Sequence, residues 1–324
     1  MSEAKNYICD NAERLDIFLS LQMEQSRSQI AQLIKKEGVF IDDKVAIRAG
    51  VKLKVGQEIR VDFFDAQSEP ALDIDFDVEV LYEDDDVLVI NKPSGVVVHP
   101  APSVKEATLI DWLKHKGIRL STISGEERHG IVHRLDKGTS GAMVVAKNNT
   151  AHEFLSNQLQ DKSMGRYYIA VLNPPLKEDI VMIDKYIDRS NHNRLKMTCT
   201  QNIGKNAKTV FKPLALSDDE KNQLVACKLF TGRTHQIRVH LESINRHIVG
   251  DHIYALSPKS QKSERILLHA YIIYFIHPVA REKMFFSASL DKYMDEFIRE
   301  NFNMESINEI IDTNNIMHGF TANS

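Results

Sequence analysis

The chain has 324 residues, 43% of them hydrophobic, and a formal net charge of −4. This length suggests two domains, one of which could bury a sizeable core. The three cysteines, Cys9, Cys199 and Cys227, form no CxxC pair and no cluster with zinc-site spacing, which argues against a structural metal and predicts a reducing, cytoplasmic location.

The first 64 residues are predicted to form a small unit. They begin without a basic segment followed by an apolar one, so we expect no signal peptide. A first helix is expected after the D-x-x-E start at 10–13, and a second between the S-x-x-Q capping box at 26–29 and Gly38. A strand, a turn and a second strand region are then predicted at 39–41, 42–43 and 51–61.

Charge is distributed unevenly along the chain. Residues 27–60 hold eight Lys or Arg against four Asp or Glu, and residues 185–212 hold seven against one. Between them, residues 65–86 hold ten acidic residues and no basic one. Each run could be no more than a solvated face; alternatively, two RNA-facing surfaces flank an acidic, repelling connection.

The remainder of the chain mixes short apolar runs with a helical stripe. Runs at 87–90, 143–146 and 167–172 are typical of strands, and the stripe at 151–159 is typical of a helix. The longest apolar stretch, 266–276, contains a histidine and is too short to cross a bilayer, so we expect a buried strand. These elements predict an α+β fold with a mixed, mainly antiparallel sheet flanked by helices.

Four segments follow from these patterns. We expect a small N-terminal domain at 1–64, an acidic linker at 65–77, a catalytic domain at 78–300 and a flexible tail at 301–324. Neither a G-x-G-x-x-G sequence nor a P-loop is present, so no nucleotide cofactor is indicated.

The segment GIVHRLDKGTSGAMVVAKN, residues 130–148, places a carboxylate on a tight polar turn. Asp136 follows His133 and Arg134 and precedes a Gly-Thr-Ser-Gly turn, after which a strand begins. Catalytic groups are often held on such loops at a strand edge. On turn statistics alone, however, Asp136 could simply bond the amide of Thr139 or Ser140.

A second polar segment is LFTGRTHQIRVHLE, residues 229–242. Thr234 is the expected N-cap of a short helix that carries Arg238. The Arg238 guanidinium could pair with a buried carboxylate, or it could form an ordinary surface ion pair with Glu242 at i, i+4. His235 and His240 have unsuitable spacing for a metal pair and are expected to be hydrogen-bonded structural residues.

The N-terminal segments SRSQIAQLIKKEGVFIDD and VKLKVGQEIRV resemble the alpha-L RNA-binding motif, first known from a ribosomal small-subunit protein. The resemblance covers about fifty residues. In that family the second helix and the following turn carry the basic RNA contacts. The resemblance therefore implies RNA contacts by Arg27, Lys35 and Lys36, although a basic helix that only aids solubility would carry the same residues.

Several motifs of the later chain resemble the RluA-type family of pseudouridine synthases. HRLDKGTSG is similar to the family signature, TGRTHQIRVHL to its later motif, VLVINKPSGVVVHP to its first motif and GRYYIAVL to its Tyr-bearing strand. They follow in the family's order over residues 78–290. With an alpha-L domain in front, the resemblance is greatest to the subgroup exemplified by RluD and RluC, which acts on large-subunit ribosomal RNA.

The resemblance assigns roles residue by residue. Asp136 is expected to be the catalytic carboxylate and Arg238 its basic partner. Tyr168 is expected to be the active-site tyrosine, which stacks on the flipped uracil and assists proton removal. Arg134 is expected to probe the RNA and fill the gap left by the base. Tyr167 should face the other side of its strand, because neighbouring residues alternate.

The expected enzyme isomerises specific uridines in RNA to pseudouridine, as a monomer with no cofactor, metal or membrane, and large-subunit ribosomal RNA is its expected substrate. A non-catalytic RNA-binding or ribosome-assembly factor would use the same N-terminal domain and basic segments. A glycoside or nucleoside hydrolase would also place a carboxylate at a sugar, but such enzymes usually use two. Asp136, Tyr168 and Arg238 together favour the synthase.

Overall fold

The computed structural model describes residues 3–23, 27–35, 38–63, 73–101, 104–123, 129–255, 263–303, 307 and 310–320. The chain divides into two compact units, Met1–Leu72 and Asp73–Ser324. Residues 65–72 of the predicted acidic linker lie outside the described part of the chain.

The first unit is a four-stranded antiparallel sheet with two helices. The strand order is β1-β4-β2-β3, so the first and last strands of the unit are neighbours. In chain order, the elements are β1 (Glu3–Ile8), α1 (Leu15–Gln22), α2 (Arg27–Lys35), β2 (Val39–Ile41), β3 (Lys44–Val45) and β4 (Glu58–Phe63).

The two predicted helices and the strand at 39–41 are confirmed. Apolar residues of α1 and α2 at helical spacing, among them Phe18 and Ile30, pack with the sheet in one core. Asp42 and Asp43 both take positive φ in the β2–β3 turn, which aspartate tolerates. The strand region predicted at 51–61 forms a regular strand only from Glu58, and β1 was not predicted.

The second unit is built on one large, mixed sheet. Its strand order is β10-β9-β11-β12-β8-β14-β7-β6-β5, with β13 beside β8 and β15 beside β14. Of these pairs only β14–β7 is parallel, so the predicted mixed and mainly antiparallel sheet is confirmed for the described residues.

The strands of this unit are β5 (Glu79–Glu83), β6 (Val87–Lys92), β7 (Ser140–Ala146), β8 (Gly165–Asn173), β9 (Val181–Arg189), β10 (Met197–Thr200), β11 (Lys205–Leu216), β12 (Gln223–Leu229), β13 (His247–Ile248), β14 (Leu268–Ile276) and β15 (Lys283–Ser287). Its helices are α3 (Leu109–His115), α4 (Asn149–Asp161), α5 (Gln236–Glu242), α6 (Lys292–Asn301) and α7 (Thr313–His318).

Side chains of the central strand β8 alternate between two cores. Tyr168 belongs to the core that α3 and α5 cover, whereas Tyr167 belongs to the core that α6 and α7 cover. This is the expected consequence of the two-residue period of a strand. The alternation decides which of the two tyrosines faces the site described below.

The expectation of a flexible tail at 301–324 is wrong for its described part. Helix α7 begins after Asp312, whose side chain accepts the amides of Asn314 and Asn315. Its residue Ile316, like Phe302 before it, is buried against the sheet core. The Asn-rich composition suggested a flexible segment. A few of its apolar residues nevertheless pack against the sheet core and hold a short helix in place.

Candidate active site

A cavity of about 660 Å³ opens beside strand β8 in the second unit. Its main walls are the loop before β7, the end of α4 with the first half of β8, and the segment that leads from β12 into α5. Its polar lining includes His133, Arg134, Asp136, Arg166, Tyr168 and Arg238. A volume of this size accommodates a nucleotide-sized ligand.

The loop before β7 presents the carboxylate of Asp136 to this cavity. The main-chain carbonyl of Asp136, not its side chain, accepts the amide of Thr139 and closes the turn. The side chain is 20% exposed, and its Oδ2 lies 3.2 Å from Nη1 of Arg238. The carboxylate therefore stays available for chemistry rather than for holding the turn.

Arg238 lies between two carboxylates. Its Nε and Nη2 each donate to Asp251 at 2.8 Å, and its Nη1 reaches Asp136. Burial alone would lower the pKa of Arg238, but the hydrogen bonds and charge of Asp251 outweigh it and raise that pKa above its usual value. The alternative pairing with Glu242 is not formed, because Glu242 pairs with Lys196.

Asp251, the partner of Arg238, is itself held by hydrogen bonds from the main chain. Its Oδ1 also accepts the amides of Ile253 and Tyr254. Burial would raise the pKa of this carboxyl, but the hydrogen bonds from Arg238 lower it. Asp251 thus fixes the guanidinium in a bidentate fork, and the remaining nitrogen points at Asp136.

Helix α5 begins one residue later than predicted. Its N-cap is His235, with φ of 56° and no side-chain cap, so the expectation of Thr234 as N-cap is wrong. The left-handed turn at His235 directs the imidazole toward the cavity, with Nε2 3.9 Å from Oδ2 of Asp136. Burial lowers the pKa of His235, which Asp136 only partly offsets.

Tyr254 contacts both side chains that face Asp136, His235 and Arg238. Its phenol oxygen accepts the amide of Met197 at 2.8 Å and lies 2.9 Å from Nδ1 of His235. The Arg238 guanidinium lies 5.0 Å from the centre of the Tyr254 ring. If the phenol donates its proton to Nδ1, the imidazole proton stays on Nε2 and faces Asp136.

The buried amine of Lys92 supports the Asp136 loop. Lys92, at the end of β6, donates its Nζ to the carbonyls of Pro93 and Val96, both at 2.8 Å, and lies 3.5 Å from the carbonyl of Lys137. Burial lowers the pKa of this amine to about 7, against the attraction of Asp136. Lys92 therefore links Lys137, the residue next to Asp136, to the end of β6.

Tyr168 lies on the cavity side of β8, as predicted, and Tyr167 does not line the cavity. Burial raises the pKa of the Tyr168 phenol, and the charge of Asp136 acts in the same direction. The phenol is therefore neutral at physiological pH. Its ring offers a flat surface to a base bound in the cavity.

The predicted RNA contacts are in different places. Arg134 is exposed at the cavity, with Nη1 3.3 Å from Nε2 of His99. Arg27, in the first unit, is 57% exposed and pairs with Asp16 at 2.7 Å. The side chain of Lys35 and all of Lys36 lie outside the described residues.

Three residues around Asp136 were not predicted to belong to the site, namely Lys92, His235 and Asp251. His235 was expected to be structural, Lys92 lies inside the motif VLVINKPSGVVVHP, and Asp251 was not singled out. A signal for Asp251 was available in the Gly-Asp pair. Gly250 has φ of +78°, and a Cβ there would lie 1.8 Å from the carbonyl oxygen of Arg265, so only glycine fits before this aspartate.

One group of side chains has metal-like spacing elsewhere in the unit, formed by Asp84, Asp86 and His277. Nδ1 of His277 accepts the amide of Ala280 at 3.0 Å, so the ring proton lies on Nε2 and is donated to Asp84 at 2.8 Å. Hydrogen bonds within the chain thus use the atoms that a metal ion would need.

Charge in the cavity is strongly one-sided. Its described lining contains five Lys or Arg side chains and one carboxylate, Asp136. Such a surface attracts a polyanion and places the carboxylate where the ligand's sugar and base would lie.

Comparison with known proteins agrees with this geometry. Residues 86–243 match the family described as RNA pseudouridylate synthase, and residues 13–59 match the S4 domain. A protein of Helicobacter pylori named as an uncharacterized RNA pseudouridine synthase is 46% identical over 316 residues, which is 96% of each chain.

The chain belongs to the RNA pseudouridine synthase family. It is an enzyme that isomerises uridine in RNA, and its N-terminal S4 domain is the predicted alpha-L RNA-binding domain. A ribosomal large subunit pseudouridine synthase D of Borreliella burgdorferi is 35% identical to this synthase, covering 81% of this chain and 82% of that one.

The fold of this synthase is also found in a solved structure. The human RNA pseudouridylate synthase domain containing 1 has a TM-score of 0.58 at 22% identity, covering 72% of this chain and 94% of that one. In the part of the synthase that the structure describes, no helix has the length and apolar character needed to cross a membrane.

Proposed function

We propose that this synthase converts uridine to pseudouridine in large-subunit ribosomal RNA, as a cytoplasmic monomer, with Asp136 as its catalytic carboxylate. The observation that carries the catalytic assignment is the Arg238–Asp136 ion pair, which sets one carboxylate in a cation-lined cavity beside Tyr168. The ribosomal substrate is supported by relatives named large subunit pseudouridine synthase D in two organisms.

The target uridine must leave its base stack before Asp136 can reach the glycosidic bond. Flipping a base costs a few kcal/mol, which stacking and phosphate contacts must offset. The Tyr168 ring would supply the stacking surface inside the cavity. Arg134, exposed at the same cavity, would fill the place that the base has left.

Asp136 can then act in two ways. It can add to the base or the sugar as a nucleophile, or it can remove a sugar proton so that uracil departs. In either case the C1′–N1 bond breaks, the ring turns while still held, and a C1′–C5 bond forms. The bond to Asp136 breaks again in the first route, and Asp136 returns the sugar proton in the second. C5 then loses its proton and N1 gains one, so that the product is an isomer of the substrate.

The cavity disfavours the hydrolytic alternative. Glycosidases usually place two carboxylates on either side of the bond that they cleave. Among the described lining residues Asp136 is the single carboxylate, and its nearest charged partner is Arg238 at 3.2 Å. Asp136 pairs with a guanidinium, and the described lining offers no second carboxylate that could activate water. This arrangement favours rearrangement of a base that stays bound over hydrolysis.

Deletion of the gene should remove pseudouridine from specific positions of large-subunit ribosomal RNA. Total RNA from the deletion strain and its parent would be mapped for pseudouridine, and the sites restored by a plasmid copy would be assigned to this synthase. A complemented site in transfer RNA alone would contradict the proposed substrate while leaving the enzymatic activity intact.

The two adjacent tyrosines should differ sharply when each loses its hydroxyl. We expect Tyr168→Phe to keep the stacking ring but to slow turnover by roughly 100-fold, if the phenol assists proton removal. Tyr167→Phe is the matched control, because that ring lies in the opposite core. Single-turnover rates on the mapped RNA would test this, and equal rates for the two variants would contradict the assignment of Tyr168.

A further inference from the structure

Among the residues that the structure describes, Arg166 has no partner for its charge. It lies on β8, lines the cavity and is only 7% exposed. Its Nε is buried without a hydrogen-bond acceptor, and its guanidinium makes no hydrogen bond or ion pair with any described residue. The assigned roles of Asp136, Tyr168 and Arg238 do not involve it.

An unpaired buried guanidinium is unusual, because desolvation of a charge is costly unless an opposite charge or hydrogen bonds compensate it. The neighbouring buried guanidinium obeys this rule, because Arg238 pairs with Asp251 and Asp136. No described residue compensates Arg166 in this way, and an anionic ligand in the cavity would do so.

The glycine at position 232 leaves room for this guanidinium. A Cβ at Gly232 would lie 2.9 Å from Nη2 of Arg166 and 3.3 Å from its Nη1. Since Gly232 has no side chain, the terminal nitrogens can lie against the loop that leads into α5. This is the same loop that brings His235 to Asp136.

His133 contributes a second donor without a partner. Its Nε2 accepts the amide of Val144, so the ring proton lies on Nδ1, which is buried and has no acceptor. Burial, with the charge of Arg166, lowers the pKa of His133 well below its usual value. The imidazole is therefore a neutral donor that faces the cavity beside a cationic one.

We propose that Arg166 and His133 form an anion subsite that holds a backbone phosphate of the flipped nucleotide. The inference rests on the proposed function, since it assumes that the target base stacks on Tyr168. Arg166 precedes Tyr168 by two residues on the same strand face, which separates the two side chains by roughly 6.6 Å along the strand. One nucleotide can therefore place its base on the ring and its phosphate on the guanidinium.

Other cations of the cavity do not fill this position. Arg134, Lys162 and Arg233 are exposed at its rim, where they can meet the RNA strand on either side of the target. The subsite is buried, whereas the rim is exposed. A charge-assisted hydrogen bond is stronger in a buried site than at the surface. It would thus retain the sugar-phosphate while the base is detached.

The test combines substitution of Arg166 with replacement of one RNA phosphate by an uncharged methylphosphonate. A synthetic RNA hairpin would carry the target uridine mapped in the deletion strain, in whichever RNA that uridine lies. A methylphosphonate would replace the phosphate either 5′ or 3′ of the target. The ribose on the 5′ side of each linkage under test would be a 2′-deoxyribose in natural and modified hairpins alike, so that the linkage cannot cleave and no added group crowds the target sugar.

We expect Arg166→Gln to slow single-turnover pseudouridine formation by about 10- to 100-fold on the natural backbone. One of the two methylphosphonates should slow the wild-type enzyme to a similar extent. Arg166→Gln should then cause little further loss on that same RNA, because the two changes remove one interaction. Arg166→Lys keeps the charge but not the forked guanidinium, so its single-turnover rate should lie between those of wild type and Arg166→Gln.

Two results would overturn the inference. If Arg166→Gln slows turnover equally on natural and on both neutral backbones, the guanidinium contacts the base or only supports the fold. If it does not slow turnover at all, the subsite is not used. Wild-type turnover on the natural hairpin reports the proposed function separately. The thermal midpoint of Arg166→Gln should not fall below that of wild type, since an unpaired charge is removed.

Discussion

Asp136→Asn is expected to abolish pseudouridine formation while the protein folds and binds RNA almost as before. Asparagine has the shape of aspartate but is neither a nucleophile nor a base, so single-turnover rates should fall by at least about 1,000-fold. The fold should tolerate the change, because the main-chain carbonyl of Asp136 closes the turn and Arg238 keeps both hydrogen bonds to Asp251.

The matched control is Glu106→Gln, the same carboxylate-to-amide change beside the same loop. Glu106 pairs with Lys137, the residue after Asp136, and both side chains are more than half exposed. An exposed pair contributes about 0–1 kcal/mol, so turnover should be retained. Tritium release from C5-labelled RNA would measure both variants, and appreciable release by Asp136→Asn would show that another group performs the chemistry.

The sequence predicted those parts of the site that depend on local pattern. The two-residue period of β8 separated Tyr168 from Tyr167, and the turn-then-strand pattern placed Asp136 on a loop before β7. Both features follow from a few consecutive residues. The family resemblance added the pairing of Asp136 with Arg238, which lies 102 positions away and which no local pattern contains.

The parts that could not be predicted depend on contacts between distant segments. Asp251 holds Arg238 through a fork that joins a helix to a loop, and Lys92 reaches the carbonyl of Lys137 from another strand. Thr234 has the better capping side chain, yet His235 begins the helix because it takes a left-handed turn toward Asp136. Tertiary packing outweighs local propensity at each of these points.

Arg238→Met should be the most destabilising of the substitutions considered for this synthase. The side chain of Asp251 is 1% exposed, so loss of Arg238 leaves a buried carboxylate with only two amide donors. Breaking such a buried pair costs about 3–5 kcal/mol of unfolding free energy. Urea denaturation would measure this, and turnover should be lost as well because Asp136 loses its partner.

The surface pair of Arg299 and Asp295 provides the control. Both side chains are well exposed at i, i+4 on α6, so Arg299→Met should cost less than about 1 kcal/mol. The double variant Arg238→Met with Asp251→Asn removes the unpaired charge and keeps an oxygen for the two amides. It should recover much of the stability but none of the activity, because Asp136 still lacks the guanidinium. Recovered activity in that variant would show that Arg238 serves the fold alone and not the carboxylate.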